Sequence, residues 1–148
     1  MIYTPMTRKA MKIAYDAHAG QADKTGIPYI YHPIHLAESM SDENSVITAL
    51  LHDVAEDTNI TIDDLAREGF HEDILTALTL LTHNPAEEYM DYISRLSTCP
   101  LARKVKLADL RHNSDATRLD SIDEKTARRL EKYSRAIRLL EAVENNAH

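Results

Sequence analysis

The sequence predicts an all-α protein, folded as a single compact helical bundle over residues 1–148. Only three of the 148 residues are glycine, and β-branched residues almost never alternate strictly with polar ones, as they would in a half-buried strand. Apolar residues instead recur every three or four positions along most of the chain. That spacing gives a helix one buried face.

Helix start and stop signals place the elements in order along the first half of the chain. Proline suits the first helical position, and a threonine followed three residues later by an aspartate is typical of a helix N-terminus. Glycine commonly follows the last helical residue, and a loop over residues 20–31 separates the first two helices. The predicted helices run from 5 to about 18, from 33 to about 40, from about 44 to 57, and from about 61 to 69.

The second half continues in the same way. Apolar spacing marks a fifth helix, Asn84-Pro85 is predicted to start a sixth, and Pro100 is predicted to open a seventh. A last helix is expected from about 122 to 143, with an apolar stripe along one face. The stripe residues of the fifth helix are Ile74, Leu75, Leu78 and Leu81, and those of the last are Leu130, Tyr133, Ile137 and Leu140.

The third predicted helix carries a dense group of ionisable side chains. On a continuous helix, His52 lies on the same face as Glu56, and Asp53 lies on the same face as both Glu56 and Asp57. A neighbouring stripe that includes Val54 faces a core. Three carboxylates beside an imidazole repel one another and resist desolvation unless something positive lies among them. A divalent cation would relieve the whole group.

Two other segments supply companions for this pair. His32 precedes Pro33, and a residue before proline is biased away from the α conformation, so His32 is expected at a loop-to-helix junction facing a cleft. Asp109 follows Val105 by one turn, which places it on the inward stripe of its own helix. A buried aspartate needs a cation to remain ionised at low cost. The predicted ligands of a divalent metal are His32, His52, Asp53 and Asp109.

Glu56 and Asp57 are the candidate catalytic residues. Acids at a helix C-terminus oppose the helix dipole, and so unfavourable a position favours a functional role over a solvated helix end. One turn beyond the predicted ligands, they are placed to take a proton from an attacking water or to orient it. Asn113 extends the line of Asp109 by one more turn and is interpreted as a helix cap or a substrate contact.

Other charged side chains are interpreted as structural or solvated. The basic cluster Arg103, Lys104 and Lys106 is expected to solvate one helix face without a functional role. Histidines outside the ligand set are more often structural or exposed than bound to a metal, although two of them, inside sequence motifs, are placed to orient a ligand by hydrogen bonding. These histidines are His18, His35, His71, His83, His112 and His148, of which His18 and His112 lie in the motifs.

Composition argues against several classes of function. A formal net charge of -7 disfavours general nucleic-acid binding, which depends on neutralising phosphates with lysine and arginine. No apolar run is long enough to span a membrane, and the N-terminus lacks the apolar core of a signal peptide. Cys99 is the only cysteine, as in a reducing cytoplasm. We expect a cytoplasmic protein with a small-molecule ligand, and the absence of a Gly-x-x-x-x-Gly-Lys loop disfavours a kinase or motor.

Four ordered motifs, at residues 17–21, 26–33, 50–58 and 106–109 with Asn113, carry a family resemblance. The chain resembles the HD superfamily of metal-dependent phosphohydrolases, and more narrowly the hydrolase domain of RelA/SpoT homologues and the small alarmone hydrolases. The resemblance implies an HD-domain helical bundle, Mn²⁺ as the metal, and hydrolysis of the stringent-response alarmone (p)ppGpp at its 3′ position to release pyrophosphate. The ligand types alone leave Fe²⁺, Co²⁺, Ni²⁺ and Zn²⁺ open.

The sequence departs from the family pattern at Asp23-Lys24, where the family has an Arg-Lys pair whose arginine contacts the nucleotide base. Lys24 is still expected to meet a phosphate. Asp23 either lines the cleft or points into solvent and pairs with Lys24 or another cation. Two alternatives stay open for the whole chain: a nucleotide phosphatase of another specificity, for example one acting on the 2′-phosphate of NADPH, and a non-catalytic metal-binding module.

Overall fold

The computed structural model describes residues 1–147, and within that range the regular structure is helical apart from one isolated bridge between Ala22 and Pro28. The all-α prediction is therefore confirmed. The helices are α1 (Pro5–Ala17), α2 (Tyr31–Glu38), α3 (Glu43–Leu51), α4 (Val54–Asp57), α5 (Ile62–Arg67), α6 (Glu72–Leu81), α7 (Tyr89–Leu96), α8 (Pro100–Asn113) and α9 (Glu124–Asn146), with a 3-10 turn at Ala116–Arg118 before α9.

Side-chain caps begin two of the helices where the sequence predicts them. Thr4 accepts a hydrogen bond from the backbone N–H of Thr7 at 3.1 Å, next to the proline that opens α1. Thr61 accepts from the N–H of Asp64, and the Asp64 carboxylate accepts from the N–H of Thr61. This reciprocal pair satisfies two N–H groups that the first turn of α5 leaves without partners.

The prediction of a continuous third helix is wrong, because the helix is interrupted at the histidine–aspartate pair. His52 and Asp53 lie between α3 and α4, and Asp53 has φ -105° and ψ 0°, which is outside the helical region. The His52 imidazole lies with Nδ1 2.7 Å from the carbonyl oxygen of Ala49. In an uninterrupted helix that carbonyl would accept from the N–H of Asp53, so the side chain competes with the helix at this point.

Two helix starts also differ from prediction. Helix α2 begins at Tyr31 rather than Pro33. The first N–H groups of a helix have no intrahelical partner, so a proline within the first turn costs no hydrogen bond and the helix can begin before it. His32 therefore lies in the first turn of α2. Helix α7 begins at Tyr89 rather than near Pro85. The Asn84 side chain accepts from the N–H of Ala86 at 3.0 Å and holds a turn in place of the predicted helix start.

Helix α3 lies at the centre of the core. Every residue from Ser45 to Leu51 is buried, and α3 packs against α1, α2, α6 and α8. Apolar residues on all sides of α3 explain this, since a helix that is hydrophobic all round belongs in the interior. The chain leaves the core at the C-terminal end of α3, so His52 and Asp53 lie where the buried helix meets the surface.

The prediction that the basic cluster on α8 forms a solvated face is wrong for two of its three members. Arg103 is only 6% exposed; its Nε donates to Glu144 on α9 at 2.6 Å, and its Nη1 donates to the carbonyl oxygen of Ser97 at 2.8 Å. Lys104 is exposed, as expected. Lys106 points toward the predicted metal ligands. Arg103 therefore links α8 to α9.

Replacing Arg103 with Ala should lower the free energy of unfolding by about 1–3 kcal/mol, because it leaves the buried carbonyl of Ser97 without its donor. The matched control is Lys104→Ala, which removes only an exposed ion pair with Asp42 and should cost less than about 1 kcal/mol. Urea unfolding followed by circular dichroism measures both. Equal losses in the two variants would show that Arg103 has no special role in holding α9.

Candidate metal centre and adjoining cleft

All four predicted metal ligands meet at one point in the structure. One ligand atom from each lies within 4.8 Å of every other, although they come from α2, the α3–α4 break and α8. Three of the four, both imidazoles and the Asp109 carboxylate, are buried. His32 Nε2 lies 2.8 Å from Asp109 Oδ1, and His52 Nε2 lies 3.0 Å from Asp53 Oδ2 and 3.5 Å from Asp109 Oδ1.

The orientation of His52 shows that this group fits a cation. Its Nδ1 is placed to donate to the carbonyl of Ala49, which leaves the lone pair on Nε2. That Nε2 atom is buried and has no hydrogen-bond partner among residues 1–147, even though two carboxylates lie close to it. A buried polar atom without a partner is costly. Imidazole and carboxylate ligands around it are the set that a first-row divalent ion prefers.

A second group of side chains holds the two carboxylates of this set in place. The Tyr29 hydroxyl donates to Asp53 Oδ2. Lys106 Nζ donates to Asp109 Oδ2 at 2.9 Å, and Asn113 Nδ2 donates to Asp109 Oδ1 at 2.9 Å. Such partners fix the orientation and basicity of metal ligands. Sequence reasoning did not identify Tyr29 in this role.

The histidines of the motifs also support the cluster. His112 lies with Nδ1 2.7 Å from His32 Nδ1, and the two rings stack with centroids 5.0 Å apart. His18 is buried, and its ring lies 4.9 Å from that of Tyr29. His35 stacks on His112 at 4.0 Å. These contacts match an orienting role, whereas His148 lies outside the described residues.

Burial and charge act against each other in this cluster. Burial raises the pKa of the Asp109 carboxyl, but Lys106 and the two imidazoles outweigh it and hold that pKa well below its usual range. Burial likewise favours neutral His52, but Asp53 and Asp109 raise the pKa of its imidazole well above the ordinary value. The protein thus surrounds two carboxylates with positive charge, and a metal ion would take the place of the proton on His52.

Glu56 and Asp57 lie in the cleft that opens beside the cluster. The cleft has a volume of about 280 Å³ and is lined by His52, Asp53, Asp109 and both acids. Glu56 Oε1 accepts from the backbone N–H of His83 at 2.7 Å. Burial and the neighbouring charges of Asp53 and Glu56 raise the pKa of Asp57 to about 6. The structure therefore brings the predicted acids and ligands together without a continuous helix.

The two predicted substrate contacts lie in different places. Asn113 lines the metal cleft, whereas Lys24 lines a neighbouring cavity. Asp23 combines parts of the two predicted alternatives, because it lines the neighbouring cavity and pairs with a cation. Its Oδ1 accepts from the N–H and hydroxyl of Thr25 and from the N–H of Ile27, which shapes its own loop, and its Oδ2 lies 3.8 Å from Arg118. Asp23 thus pairs with a cation other than Lys24 while lining the cavity.

No helix within residues 1–147 is both long enough and apolar enough to cross a membrane.

Comparison with known proteins gives one family match. A family model described as "HD domain" matches residues 10–83, which is half of the chain and includes three of the four clustered residues. The fourth, Asp109, lies beyond that match.

Curated bacterial proteins are similar over short parts of their length. A guanosine-3′,5′-bis(diphosphate) 3′-pyrophosphohydrolase of Borreliella burgdorferi is 42% identical over 78 residues, which are 50% of this chain and 12% of that protein. A probable guanosine-3′,5′-bis(diphosphate) 3′-pyrophosphohydrolase of Synechocystis is 31% identical over 143 residues, which are 87% of this chain and 19% of that protein. The chain thus spans less than a fifth of each of these relatives.

One solved structure shares the fold. It belongs to a metazoan ortholog of SpoT, described as hydrolysing ppGpp, and it superposes with a TM-score of 0.75. The two chains are 21% identical, and the match covers 93% of this chain and 85% of the other. At that identity the likeness concerns the fold alone.

Replacing His52 with Ala should weaken binding of Mn²⁺ by more than the roughly 10–100-fold that follows loss of an outer hydrogen-bond partner, because it removes the Nε2 atom that has no hydrogen-bond partner within residues 1–147. His71→Ala is the control, since His71 is exposed and caps α6 away from the cluster. Calorimetric titration and elemental analysis of the purified variants measure the effect. Full metal content in the His52 variant would remove this residue from the ligand set.

Proposed function

Because this chain belongs to the HD domain family, we propose that it is a divalent-metal-dependent phosphohydrolase whose substrate is (p)ppGpp, cleaved at the 3′ position to release pyrophosphate. One observation carries the reaction type: two imidazoles and two carboxylates converge beside a cleft that holds two further acids. The activities for which the two bacterial relatives are named support the substrate. The proposal includes a cytoplasmic location, supported by the single cysteine, and a small nucleotide as the partner.

His32, His52, Asp53 and Asp109 would hold the ion, which we propose to be Mn²⁺. Mixed imidazole and carboxylate donors suit it, and four protein ligands leave positions open on an octahedral ion. When bound, the ion supplies Lewis acidity that activates water and offsets charge on the phosphoryl group. The surrounding protein orients the ligands, because Tyr29, Lys106 and Asn113 hold the carboxylates in fixed orientations.

Asp57 is the better placed of the two acids to accept a proton. Its pKa of about 6 leaves it ionised at neutral pH and close to the value at which a general base is effective. Glu56 is fixed by the N–H of His83, so its carboxylate is oriented rather than free to turn. We assign proton acceptance to Asp57 and orientation of the attacking water to Glu56.

Lysines complement the substrate's charge in the same cleft. Lys132 lines it and lies with Nζ 4.4 Å from the centre of the Tyr89 ring, while Lys106 lies with Nζ 5.4 Å from the centre of the Tyr92 ring. Aromatic faces hold such cations in position. Because Lys106 is already paired with Asp109, Lys132 is the cation that we assign to the leaving pyrophosphate.

A nucleotide panel with Mn²⁺ tests the proposed substrate directly. We expect pyrophosphate from ppGpp and pppGpp, with no free phosphate, measured by separate assays for the two products. His52→Ala protein prepared in parallel detects contaminating hydrolases. Phosphate released from NADPH as the main activity would identify a phosphatase of another specificity, and no hydrolysis of any nucleotide would indicate a non-catalytic module.

Asp57→Asn should lower kcat by roughly 10²–10⁴-fold while the metal content stays unchanged. The wild-type rate should fall as the pH drops through about 6, because a base is active only when ionised. A bound cation lowers that pKa further, so the midpoint is expected at or below about 6. Asp63→Asn, an exposed acid on α5, is the control. An unchanged rate in the Asp57 variant would show that activation of the water depends on Glu56 or on the ion alone.

A further inference from the structure

The cleft beside the metal centre contains a tyrosine hydroxyl that no residue of the described chain, 1–147, engages. Tyr89 lines this cleft together with Glu56, Asp57 and Asp109. Its Oη atom is buried and has no hydrogen-bond partner within the same range. A buried polar group without a partner costs free energy. The position of this hydroxyl is explained if a ligand in the cleft supplies the missing acceptor.

Two neighbouring donors are engaged by the fold. The Tyr92 hydroxyl donates to the carbonyl oxygen of Leu81. His83 Nε2 is placed to donate to the carbonyl oxygen of Glu87 at 2.9 Å. Of these three adjacent side chains, all within residues 1–147, Tyr89 is the one whose side-chain donor remains for a ligand.

The Tyr89 ring is fixed in orientation before a ligand binds. Tyr89 is the first residue of α7, and Glu88 caps that helix by accepting from the N–H of Asp91 at 3.0 Å. Lys132 Nζ lies 4.4 Å from the centre of the Tyr89 ring. The His83 ring meets the Tyr89 ring edge-on, with centroids 5.9 Å apart. A group held in this way needs little further ordering when it reacts.

The charges around Tyr89 suit a proton donor. Burial raises the pKa of the Tyr89 hydroxyl to about 12, so this group is protonated at neutral pH. The positive charge of Lys106 acts against that rise, and the Lys132 ammonium lies over the ring. Both cations would stabilise the tyrosinate that forms when the proton is given up.

Hydrolysis at the 3′ position requires a proton that the residues assigned above do not supply. Water attacks the phosphorus atom nearest the ribose, the bond from that phosphorus to the 3′ oxygen breaks, and the bonding electron pair stays on the oxygen. Asp57 takes a proton from the water. The departing ribose oxygen is a strong base, so it needs a proton from a second group, which acts as a general acid.

We propose that the Tyr89 hydroxyl contacts the ribose 3′ oxygen and gives it a proton as the phosphorus–oxygen bond breaks, an inference that rests on the function proposed above. The nucleotide then leaves with a 3′-hydroxyl group. The tyrosinate regains a proton from solvent, into which Asp57 releases the proton that it took from the water. One water molecule is consumed, and no other reactant is required.

Tyr89→Phe tests this proposal with two substrates whose leaving groups differ. The first is ppGpp, which loses a ribose oxygen, and the second is 4-nitrophenyl diphosphate, which loses 4-nitrophenolate, an anion that is stable without a proton. We expect kcat for ppGpp to fall by about 10²–10⁴-fold with little change in KM, because the proton is transferred only in the transition state. The kcat for the aryl substrate should stay close to that of wild type.

Tyr92→Phe is the matched control, because Tyr92 lines the same cleft but its hydroxyl is bound to the carbonyl of Leu81. We expect this variant to change kcat for both substrates by one common factor, as a purely structural change would. An equal fall for both substrates in Tyr89→Phe would overturn the proposal. A selective loss for ppGpp in Tyr133→Phe, with none in Tyr89→Phe, would also overturn it.

Product binding gives a readout that needs no hydrolysis. GDP carries the 3′-hydroxyl group and 3′-deoxy-GDP lacks it, so calorimetric Kd values for the two with the Mn²⁺-loaded protein measure the contact. We expect wild type to prefer GDP by about fivefold to tenfold, as one hydrogen bond gives, and Tyr89→Phe to bind both equally. If nothing is hydrolysed yet the preference depends on Tyr89, the contact with the 3′ oxygen stands and the proposed hydrolase activity fails. A preference that survives in Tyr89→Phe would overturn the role of Tyr89 whatever the activity.

Discussion

The structure depends on one electrostatic constraint: Asp109, which is buried, and Asp53, whose side chain is one-fifth exposed, lie beside two imidazoles at the end of a buried helix, where water screens their charges poorly. Carboxylates in such a place are stable only if positive charge surrounds them. Lys106 and the donors Tyr29 and Asn113 supply part of that compensation. Within residues 1–147, the Nε2 atom of His52 has no hydrogen-bond partner, which marks where further positive charge is needed. A divalent ion would complete the group.

The same constraint accounts for the local shape of the chain. His52 can face the cluster because α3 ends at Leu51 and the His52 imidazole hydrogen-bonds to the carbonyl oxygen of Ala49. The core around α3 fixes the point at which this break occurs, since α3 is buried along its whole C-terminal half. The proposed catalytic side chains and metal ligands at this break are thereby positioned by a buried helix.

Much of the fold, and the four residues that cluster as the proposed ligands, could be predicted from the sequence, because both are encoded locally. Apolar periodicity, prolines and caps define most helices, and Asp109 lies on an inward stripe that includes Val105. The break at His52–Asp53 could not be predicted, since it depends on a side chain meeting a carbonyl of the packed helix. The burial of Arg103 could not be predicted for a similar reason, because its partner Glu144 is 41 residues away in the sequence. Lys106 could have been found, since its spacing of three from Asp109 places both on one helical face.

Diffraction from crystals grown with Mn²⁺, recorded on both sides of the manganese absorption edge, tests the central claim most directly. The account predicts one anomalous peak within coordination distance of His32, His52, Asp53 and Asp109, with His52 bound through Nε2. A peak held by Glu56 and Asp57 instead, or no peak at the cluster while the metal is bound in solution, would contradict it.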